Sequence, residues 1–148
     1  MSSLGIESDG DRVRKHTSED VNRRIDQQTR ERIERTSRAS PVEIGRRLAE
    51  LDREWDIDRA VMANFAIVGG TALTLGIRNI RPSKKGNGWL YLFGTQMGFL
   101  LYHAIAGWCP PVAVFRRLGF RTQKEICRER QALEALIDTE TQTGTTPR

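Results

Sequence analysis

The stretch that decides the fold of this chain runs from Gly86 to Phe115 and is GNGWLYLFGTQMGFLLYHAIAGWCPPVAVF. It contains no Asp, Glu, Lys or Arg, although 29% of the whole chain is charged. Trp89 and Trp108 stand near its two ends. A helix between them would be roughly 28 Å long at 1.5 Å per residue, close to the ~30 Å thickness of a bilayer's hydrocarbon core. The stretch therefore predicts a membrane span with an indole at each headgroup level.

A second apolar segment precedes this stretch. Residues 60–77, AVMANFAIVGGTALTLGI, carry no charge and are just long enough to span a bilayer. Pro82 and the glycines around it interrupt helix formation between the two segments. We therefore predict an all-α fold built on a two-span transmembrane helical hairpin, and the alternative is a buried hairpin of a soluble protein. The predicted parts are a first span at 59–78, a loop at 79–87 and a second span at 88–108.

The average composition hides this division of the chain. A hydrophobic fraction of 38% and a mean hydropathy of −0.52 are typical of a soluble protein. The apolar residues, however, concentrate between Ala60 and Phe115, and the charged flanks could not bury a sizeable core alone. The net charge of +5 predicts anionic lipid headgroups as partners. Nucleic acid is not expected, because basic and acidic residues alternate instead of forming one basic face.

Amphipathic juxtamembrane helices are predicted on both sides of the hairpin. Residues 1–40 form a polar segment, partly helical or disordered, with a solvated helix over 18–36 supported by acid-then-base pairs four residues apart. Ser40 and Glu43 form a capping box that starts an amphipathic helix at 41–58. Its apolar stripe either lies on the membrane, with Trp55 as anchor, or packs on the C-terminal helix. The remaining parts are a Cys-Pro-Pro turn and short helix at 109–121, an amphipathic helix at 122–138 begun by the capping box of Thr122 and Glu125, and a disordered tail at 139–148.

Three amide or imidazole side chains fall inside the predicted spans. Gln96 and His103 are seven residues apart and share one helix face, and Asn64 is on the first span. Because polar groups in a membrane need partners, we expect His103 to bond to Asn64 or to a threonine of the first span; the alternative is a proton relay or a substrate contact. We expect no metal site, since two histidines and two cysteines without ligand spacing cannot fill a tetrahedral shell. No cofactor is expected.

Small residues mark a packing surface on each span. Gly94 and Gly98 form a G-x-x-x-G step on the second span, and Ala66 and Gly70 belong to a small-residue stripe on the first. Such steps let helix backbones approach closely, either within one hairpin or between two chains. We expect the protein to be a homo-oligomer.

Cys109 is the candidate nucleophile. The prolines after it break the helix and place the thiol at a new helix start, where the dipole and Arg116 or Arg117 would favour the thiolate. Apolar surroundings would act in the opposite direction, and the alternative is a small structural residue at the interface. Cys127, on a charged helix, is expected to be an accessible thiol.

Two segments carry a resemblance to a known family. RRLAELDREWDIDRA at 46–60 and GWCPPVAVFRRLGFRTQKEICRERQAL at 107–133, with His103 just before the second, resemble the small prokaryotic YgaP-like transmembrane-domain family, a domain of unknown function. The resemblance covers roughly residues 41–136 and implies a hairpin in the inner membrane. One architecture of that family joins the hairpin to a cytosolic rhodanese, so the resemblance also implies a sulfur-related role as an alternative.

These observations together predict a multi-pass protein of the inner membrane. We expect it to act as a non-enzymatic anchor, scaffold or small-solute module, for example for a sulfur species; a thiol-dependent sulfurtransferase or redox accessory using Cys109 is the alternative. Ten basic residues flank the outer ends of the two spans and four lie in or beside the loop. The positive-inside rule therefore predicts that both termini are cytoplasmic.

Overall fold

Every regular element in the part of the chain that the computed structural model describes, residues 11–79 and 87–144, is a helix. This confirms the all-α fold class. The predicted N-terminal residues 1–10, most of the predicted loop and the last four residues of the predicted tail lie outside the described residues. The helices are α1 (Arg12–Lys15), α2 (Glu19–Ser37), α3 (Pro41–Leu51), α4 (Ile57–Arg78), α5 (Gly88–Ala106), α6 (Pro110–Arg117) and α7 (Gln123–Gly144).

Helices α4 and α5 lie antiparallel and pack along most of their length. Asn87 caps the start of α5 through Trp89 and also donates a hydrogen bond of 2.6 Å to the carbonyl of Gly76, which joins the two helices at the loop end. Three residue pairs, one at each end and one in the middle, give the register: Asp58 with His103, Gly69 with Gln96, and Gly76 with Leu90.

One helix of the structure is long and apolar enough to cross a membrane. It is α4, with 22 residues and a mean hydropathy of 1.7 in its most apolar window. Only 33% of that window is buried within the chain, whereas the core helix of a soluble protein is mostly buried. Helix α5 meets the same criteria of length and hydropathy when it is taken together with α6, and the two helices are bent by 69° relative to each other. The described residues therefore contain one or two candidate spans.

The bend between α5 and α6 follows from the local sequence. Gly107 ends α5 in the left-handed region, with φ of 73°, and a Cβ there would come within 2.5 Å of the Cβ of Arg12. Cys109 is the N-cap of α6 and Pro110 is its first residue, where the missing amide proton costs nothing. The helix of the predicted second span thus ends at Ala106, two residues earlier than expected.

The other five helices, α1 to α3, α6 and α7, form what we call the cap, at the end of the hairpin remote from its loop. Helix α7 packs against both α2 and α3, and α6 packs against α4. The apolar stripe of α3 therefore packs on the C-terminal helix, as one of the two alternatives predicted. The buried core of this packing consists of Ile44, Leu51, Ile126 and Leu133.

A second apolar cluster joins the cap to the hairpin. It combines Val13 of α1 with Val61 and Phe65 of α4 and with Val112 of α6. Leu100 of α5 packs against the same cluster. The cap is thus attached to the hairpin by hydrophobic contact as well as by the connecting chain.

Three features of the flanks differ from expectation. Helix α2 is not a solvated helix: Ile25 is 1% exposed, because the helix packs on α7. Helix α3 ends at Leu51, not at 58, so Trp55 lies in the connection to α4, where the Arg59 guanidinium stands 5.3 Å from its ring centre. Helix α7 continues to Gly144, beyond the predicted end at 138.

Candidate functional site at the junction of hairpin and cap

The hairpin and the cap meet around His103, in the last turn of α5. Its side chain is nine-tenths buried, and its Nε2 lies 3.1 Å from Oδ1 of Asp58, in the first turn of α4. The partner of His103 is therefore Asp58, not Asn64 or a threonine of the first span. Asp58 lies in the charged flank just outside the apolar segment, so the sequence pattern does not indicate it as the partner.

The other ring nitrogen of His103 is buried and has no hydrogen-bond partner among the described residues. Buried polar side-chain atoms usually have at least one partner, so an unpaired one requires an explanation. This ring borders a cavity of about 500 Å³ between the hairpin and the cap. His103 thus lines the cavity and keeps one buried ring nitrogen without a partner among the described residues.

The cavity has an apolar wall and a polar wall. The hairpin supplies Met62, Leu100 and Ala104, which are apolar. The hairpin also supplies Asp58 and His103, and these form a polar wall together with Asp11, Arg12, Thr122 and Lys124. The polar wall therefore contains two acids and two cations and is shared between hairpin and cap.

Helix α1 holds the polar wall in place although it has only four residues. Arg12 donates from Nη1 to the carbonyls of Ala104 and Ile105, both at 3.0 Å, and so places a cation at the C-terminus of α5. Asp11 accepts a hydrogen bond of 2.6 Å from the Thr122 hydroxyl and caps α1 through its other oxygen. The polar wall is thus bonded to both α5 and the start of α7.

A buried ion-pair cluster lies in the cap beside this wall. Glu125 accepts hydrogen bonds from Arg116 at 2.6 and 2.9 Å and also from Arg14, and Arg14 pairs in turn with Asp26. Burial alone would raise the pKa of Glu125, but the hydrogen bonds and the charge of Arg116 outweigh it, and the pKa is lowered. The predicted capping box also forms: the Thr122 amide donates to the Glu125 carboxylate at 2.8 Å.

A second ion-pair cluster lies one turn further along α7. Glu129, fully buried, accepts hydrogen bonds from Arg47 at 2.9 Å and from Arg121, and Arg121 also donates to Glu54 at 2.6 and 2.7 Å. Burial opposes ionisation here too, yet the bonds from the two arginines lower the pKa of Glu129. These clusters join α1, α2, α3 and α7 through charged side chains.

Sequence reasoning missed both clusters. The predicted acid-then-base pairs four residues apart place both partners in one helix, whereas Asp26 of α2 pairs with Arg14 of α1. The available signal was the spacing of Glu125 and Glu129, four residues apart and on the same face of α7 as the buried Ile126 and Leu133. Two acids on an apolar stripe predict basic partners from other elements.

Cys109 is fully buried in the apolar cluster between cap and hairpin. Burial raises the pKa of its thiol, and the negative charge of Asp58 acts in the same direction, whereas a hydrogen bond from the Val112 amide opposes both. A buried thiol with a raised pKa is typical of a structural cysteine. Cys127 is half-buried, and the side-chain amide of Gln123 lies 3.8 Å from its sulfur.

The predicted G-x-x-x-G step does not form the contact within the hairpin. A Cβ built on Gly94, Gly98 or Gly70 would meet no atom within 4 Å. The close approaches occur instead at Gly69 and Gly76, where such a Cβ would lie 3.3 Å from Gln96 Oε1 and 2.6 Å from Leu90 Cδ2. Of the two predicted uses of the step, close packing within one hairpin is therefore wrong.

The remaining predicted residues are spread over the hairpin. Asn64 and Gln96 are half-buried, and Ala66 is exposed. Gln96 Oε1 has no hydrogen-bond partner in the described part of the chain. Trp89 is exposed at the loop end of α5, and Trp108 contacts the ring of Tyr102 edge-on at 6.2 Å near the cap. The two indoles thus stand at opposite ends of α5.

Comparison with protein-family models, with curated proteins and with solved structures gave no match. The resemblance to the YgaP-like transmembrane-domain family therefore stays a prediction, based on the two segments at 46–60 and 107–133. Across the described residues, no group of three or more His, Cys, Asp or Glu side chains is arranged to hold a metal ion.

Proposed function

We propose that this chain is a small integral membrane protein that acts as a non-enzymatic anchor or scaffold. In this proposal α4 and α5 cross the bilayer as a hairpin and hold the cap against one membrane face. The observation that supports it is the outward direction of large apolar side chains on both helices. Ile67 is 69% exposed on α4, and Leu101 and Ile105 are 63% and 68% exposed on α5. Exposure of such a surface to water costs free energy, at ~25 cal/mol per Å² of apolar area, whereas in a bilayer the lipid chains would cover it.

The charge distribution supports the same arrangement. No Asp, Glu, Lys or Arg occurs between Arg59 and Arg78, or between Gly88 and Arg116. The cap, by contrast, contains the two buried ion-pair clusters around Glu125 and Glu129. A membrane part without charges and a cap with paired charges suit a protein that presents a rigid polar platform at a membrane surface.

Orientation and assembly are part of the proposal. The excess of basic residues near the cap supports a cap and both termini on the cytoplasmic side of the inner membrane. Exposed Arg59 and Arg117 are available to anionic lipid headgroups, with Trp55 at the interface. The open surface at Gly94 and Gly98 supports contact with a second copy of the chain, hence a homo-oligomer.

The alternative sulfur chemistry has less support. A sulfurtransferase needs an accessible thiolate, and Cys109 is fully buried with a raised pKa. We therefore prefer the scaffold proposal.

Replacement of Ile67 by Arg tests the proposal. Ile67 lies in the middle of α4 and points outward, so the change removes little packing inside the chain, but an Arg at the centre of a span costs ~2.5–3.5 kcal/mol on insertion scales. The wild-type chain should sediment with membranes and resist carbonate extraction, and the variant should lose a large part of its membrane-bound fraction. Val42, 81% exposed on α3 of the cap, provides the matched control, and Val42→Arg should behave as wild type. Recovery of the wild-type chain in the soluble fraction would contradict the proposal.

A further inference from the structure

Helix α6 lies across the direction of the proposed spans. It begins at Pro110, after α5 ends at Ala106, and the two helices are bent by 69° relative to each other. If α5 follows the bilayer normal, this bend leaves α6 about 20° from the membrane plane. Trp108, between the two helices, is of a residue type enriched at headgroup level. In the proposed arrangement α6 therefore lies along the bilayer surface.

The contacts of Arg116 fix the rotation of α6 about its axis. Its side chain is 1% exposed and donates hydrogen bonds to the Glu125 carboxylate of α7 at 2.6 and 2.9 Å and to the side-chain oxygen of Asn22 in α2 at 2.7 Å. The carbonyl of Arg117 also accepts a hydrogen bond of 2.6 Å from Arg24 of α2. The Arg116 face of α6 is therefore directed to α2 and α7, inside the cap.

The opposite face of α6 is apolar and exposed. Val114 and Leu118 are each two residues from Arg116, which is about 200° of rotation at ~3.6 residues per turn. The two side chains are 57% and 69% exposed. Val112, which is buried, packs against the hairpin cluster on another side of the helix. Since α2 and α7 belong to the cap, at the end of the hairpin remote from its loop, the side of α6 that points away from them faces the bilayer in the proposed arrangement.

Lipid is the partner that the neighbouring surface indicates. Ile105, in the last turn of α5, is 68% exposed, and only three residues separate α5 from α6. The lipid that covers the exposed apolar side chains of the hairpin would also cover Val114 and Leu118. Arg117 is exposed beside this stripe, and an arginine can place its charged group among headgroups while its stem lies along apolar surface. An apolar stripe with a cation beside it is typical of a helix in the membrane interface.

We propose that α6 is an interfacial helix, with Val114 and Leu118 inserted at the boundary between the headgroups and the acyl chains of the bilayer. The inference rests on the proposed membrane hairpin and adds a contact of the cap itself with lipid. Because Arg116 of the same helix is bonded to Glu125 and Asn22, this contact holds α2 and α7 in one orientation to the membrane.

Spin labels on the full chain, in vesicles of phosphatidylcholine and phosphatidylglycerol, test the proposal. The parent is Cys127→Ser, and its labelling without an added cysteine gives the background from buried Cys109. Collision rates of the label with oxygen, which concentrates among acyl chains, and with a water-soluble nickel chelate report the depth of the label. Leu118→Cys is the test position, and the references are Ile67→Cys in the middle of α4 and Val42→Cys on α3. Leu118 and Ile67 are both 69% exposed and Val42 is 81% exposed, so these changes remove little packing inside the chain.

The label of Leu118→Cys should lose most of its collisions with the chelate relative to that of Val42→Cys, and it should lie shallower than that of Ile67→Cys. Ala113 gives a control on α6 itself, since it is also exposed but lies three residues from Arg116 and so on the Arg116 side. The label of Ala113→Cys should meet the chelate more often than those of Val114→Cys and Leu118→Cys. Equal rates at these three positions would overturn the inference, because an inserted helix has one face in lipid.

The references separate failure of this inference from failure of the proposed anchor. If the label of Leu118→Cys is as open to the chelate as that of Val42→Cys while that of Ile67→Cys lies among acyl chains, the interfacial helix is refuted and the membrane anchor stays intact. A depth equal to that of Ile67→Cys would overturn the inference by making α6 part of a span. Low collision rates with both reagents would overturn it in favour of a second copy of the chain that covers the stripe. A label of Ile67→Cys in water would refute the proposed hairpin and, with it, this inference.

Discussion

The imidazole Nε2 of His103 lies 3.1 Å from a carboxylate oxygen of Asp58, and this contact joins the last turn of α5 to the first turn of α4. The two side chains differ in environment: that of His103 is 10% exposed and that of Asp58 is 52% exposed. Asp58, in the first turn of α4, therefore satisfies one nitrogen of a buried ring. The second ring nitrogen is buried and has no hydrogen-bond partner among the described residues.

Removal of Asp58 should destabilise the chain through this ring. In Asp58→Ala the buried imidazole loses its partner, and an unsatisfied buried polar group costs about 1–3 kcal/mol. The measurement is the free energy of unfolding in detergent. Asp52 offers a matched control, since its side chain is also 52% exposed, and its partner Arg130 is 43% exposed and stays solvated. Asp52→Ala should cost below about 1 kcal/mol, and equal costs for the two variants would show that the His103 contact contributes nothing specific.

Substitution of the hairpin glycines by Leu should change the distance between α4 and α5 at some positions and not at others. Gly76→Leu places a side chain against Leu90 and should force α4 and α5 apart at the loop end, at a cost of about 1–3 kcal/mol from overpacking. The double change of Gly94 and Gly98 to Leu meets open space and should leave the distance between the helices unchanged. Spin-label distances between one site on each helix measure this. The observed packing would be contradicted if the Gly94 and Gly98 changes increased the distance between α4 and α5 while Gly76→Leu left that distance unchanged.

The same double variant also tests the proposed homo-oligomer. Cross-linking between copies in membranes should fall when both glycines are replaced by Leu, because the larger side chains block close backbone approach. Unchanged cross-linking would show that the G-x-x-x-G face is not the contact between chains.

Glu129 should contribute far more to stability than an acid at the surface. In Glu129→Gln the buried guanidinium of Arg121 keeps Glu54 as a partner but loses the charge of Glu129, and Arg47 loses the same partner, so the cost should approach the ~3–5 kcal/mol of a broken buried ion pair. The matched control is Glu34→Gln, which breaks the exposed pair of Glu34 with Arg38 in α2 and should cost about 0.5 kcal/mol or less. Chemical unfolding of both variants gives the comparison. Similar costs would mean that the buried cluster is no more stabilising than a surface pair.

The pH dependence of this effect follows from the lowered pKa of Glu129. In the folded chain its pKa lies below the ordinary 4.5, so its stabilising effect is fully present above about pH 4.5 and is lost as the pH falls through the lowered value. The stability difference between wild type and Glu129→Gln should therefore narrow in acid and stay constant near neutral pH.

Cys109 should be the slower of the two thiols in alkylation. Because burial raises its pKa, the thiolate forms only above the ordinary range near ~8.5, and the apolar cluster also excludes the reagent. In intact membranes a Cys127→Ser chain should label only at high pH or after unfolding, whereas a Cys109→Ser chain should label readily through Cys127. Half-maximal labelling of Cys109 below about pH 7.5 would support the sulfurtransferase alternative instead.

Much of the local structure could be predicted from the sequence. The capping box of Ser40 and Glu43 and that of Thr122 and Glu125 both form, because each depends on residues three positions apart. The helix break at Cys109 and Pro110 also occurs where proline chemistry requires it. Each of the two apolar segments also forms a helix, because a helix satisfies the backbone hydrogen bonds within its own segment.

What the sequence determined by itself was therefore the helical elements, the starts of the capped helices and the division into apolar segments and charged flanks, all of which depend on neighbours along the chain. Only the tertiary structure decided which side chains from distant parts of the chain meet. Arg14 pairs with Asp26 and Glu125, the latter 111 positions away, and Asp58 satisfies His103. An exposed pair within a helix is worth only ~0.2–0.5 kcal/mol, whereas a buried carboxylate must find a cation, so burial overrides sequence spacing. The same reason explains why Gly69 and Gly76, not the G-x-x-x-G step, lie in the helix contact: the rotation of α4 and α5 about their axes is set by the packing of the whole hairpin and cap.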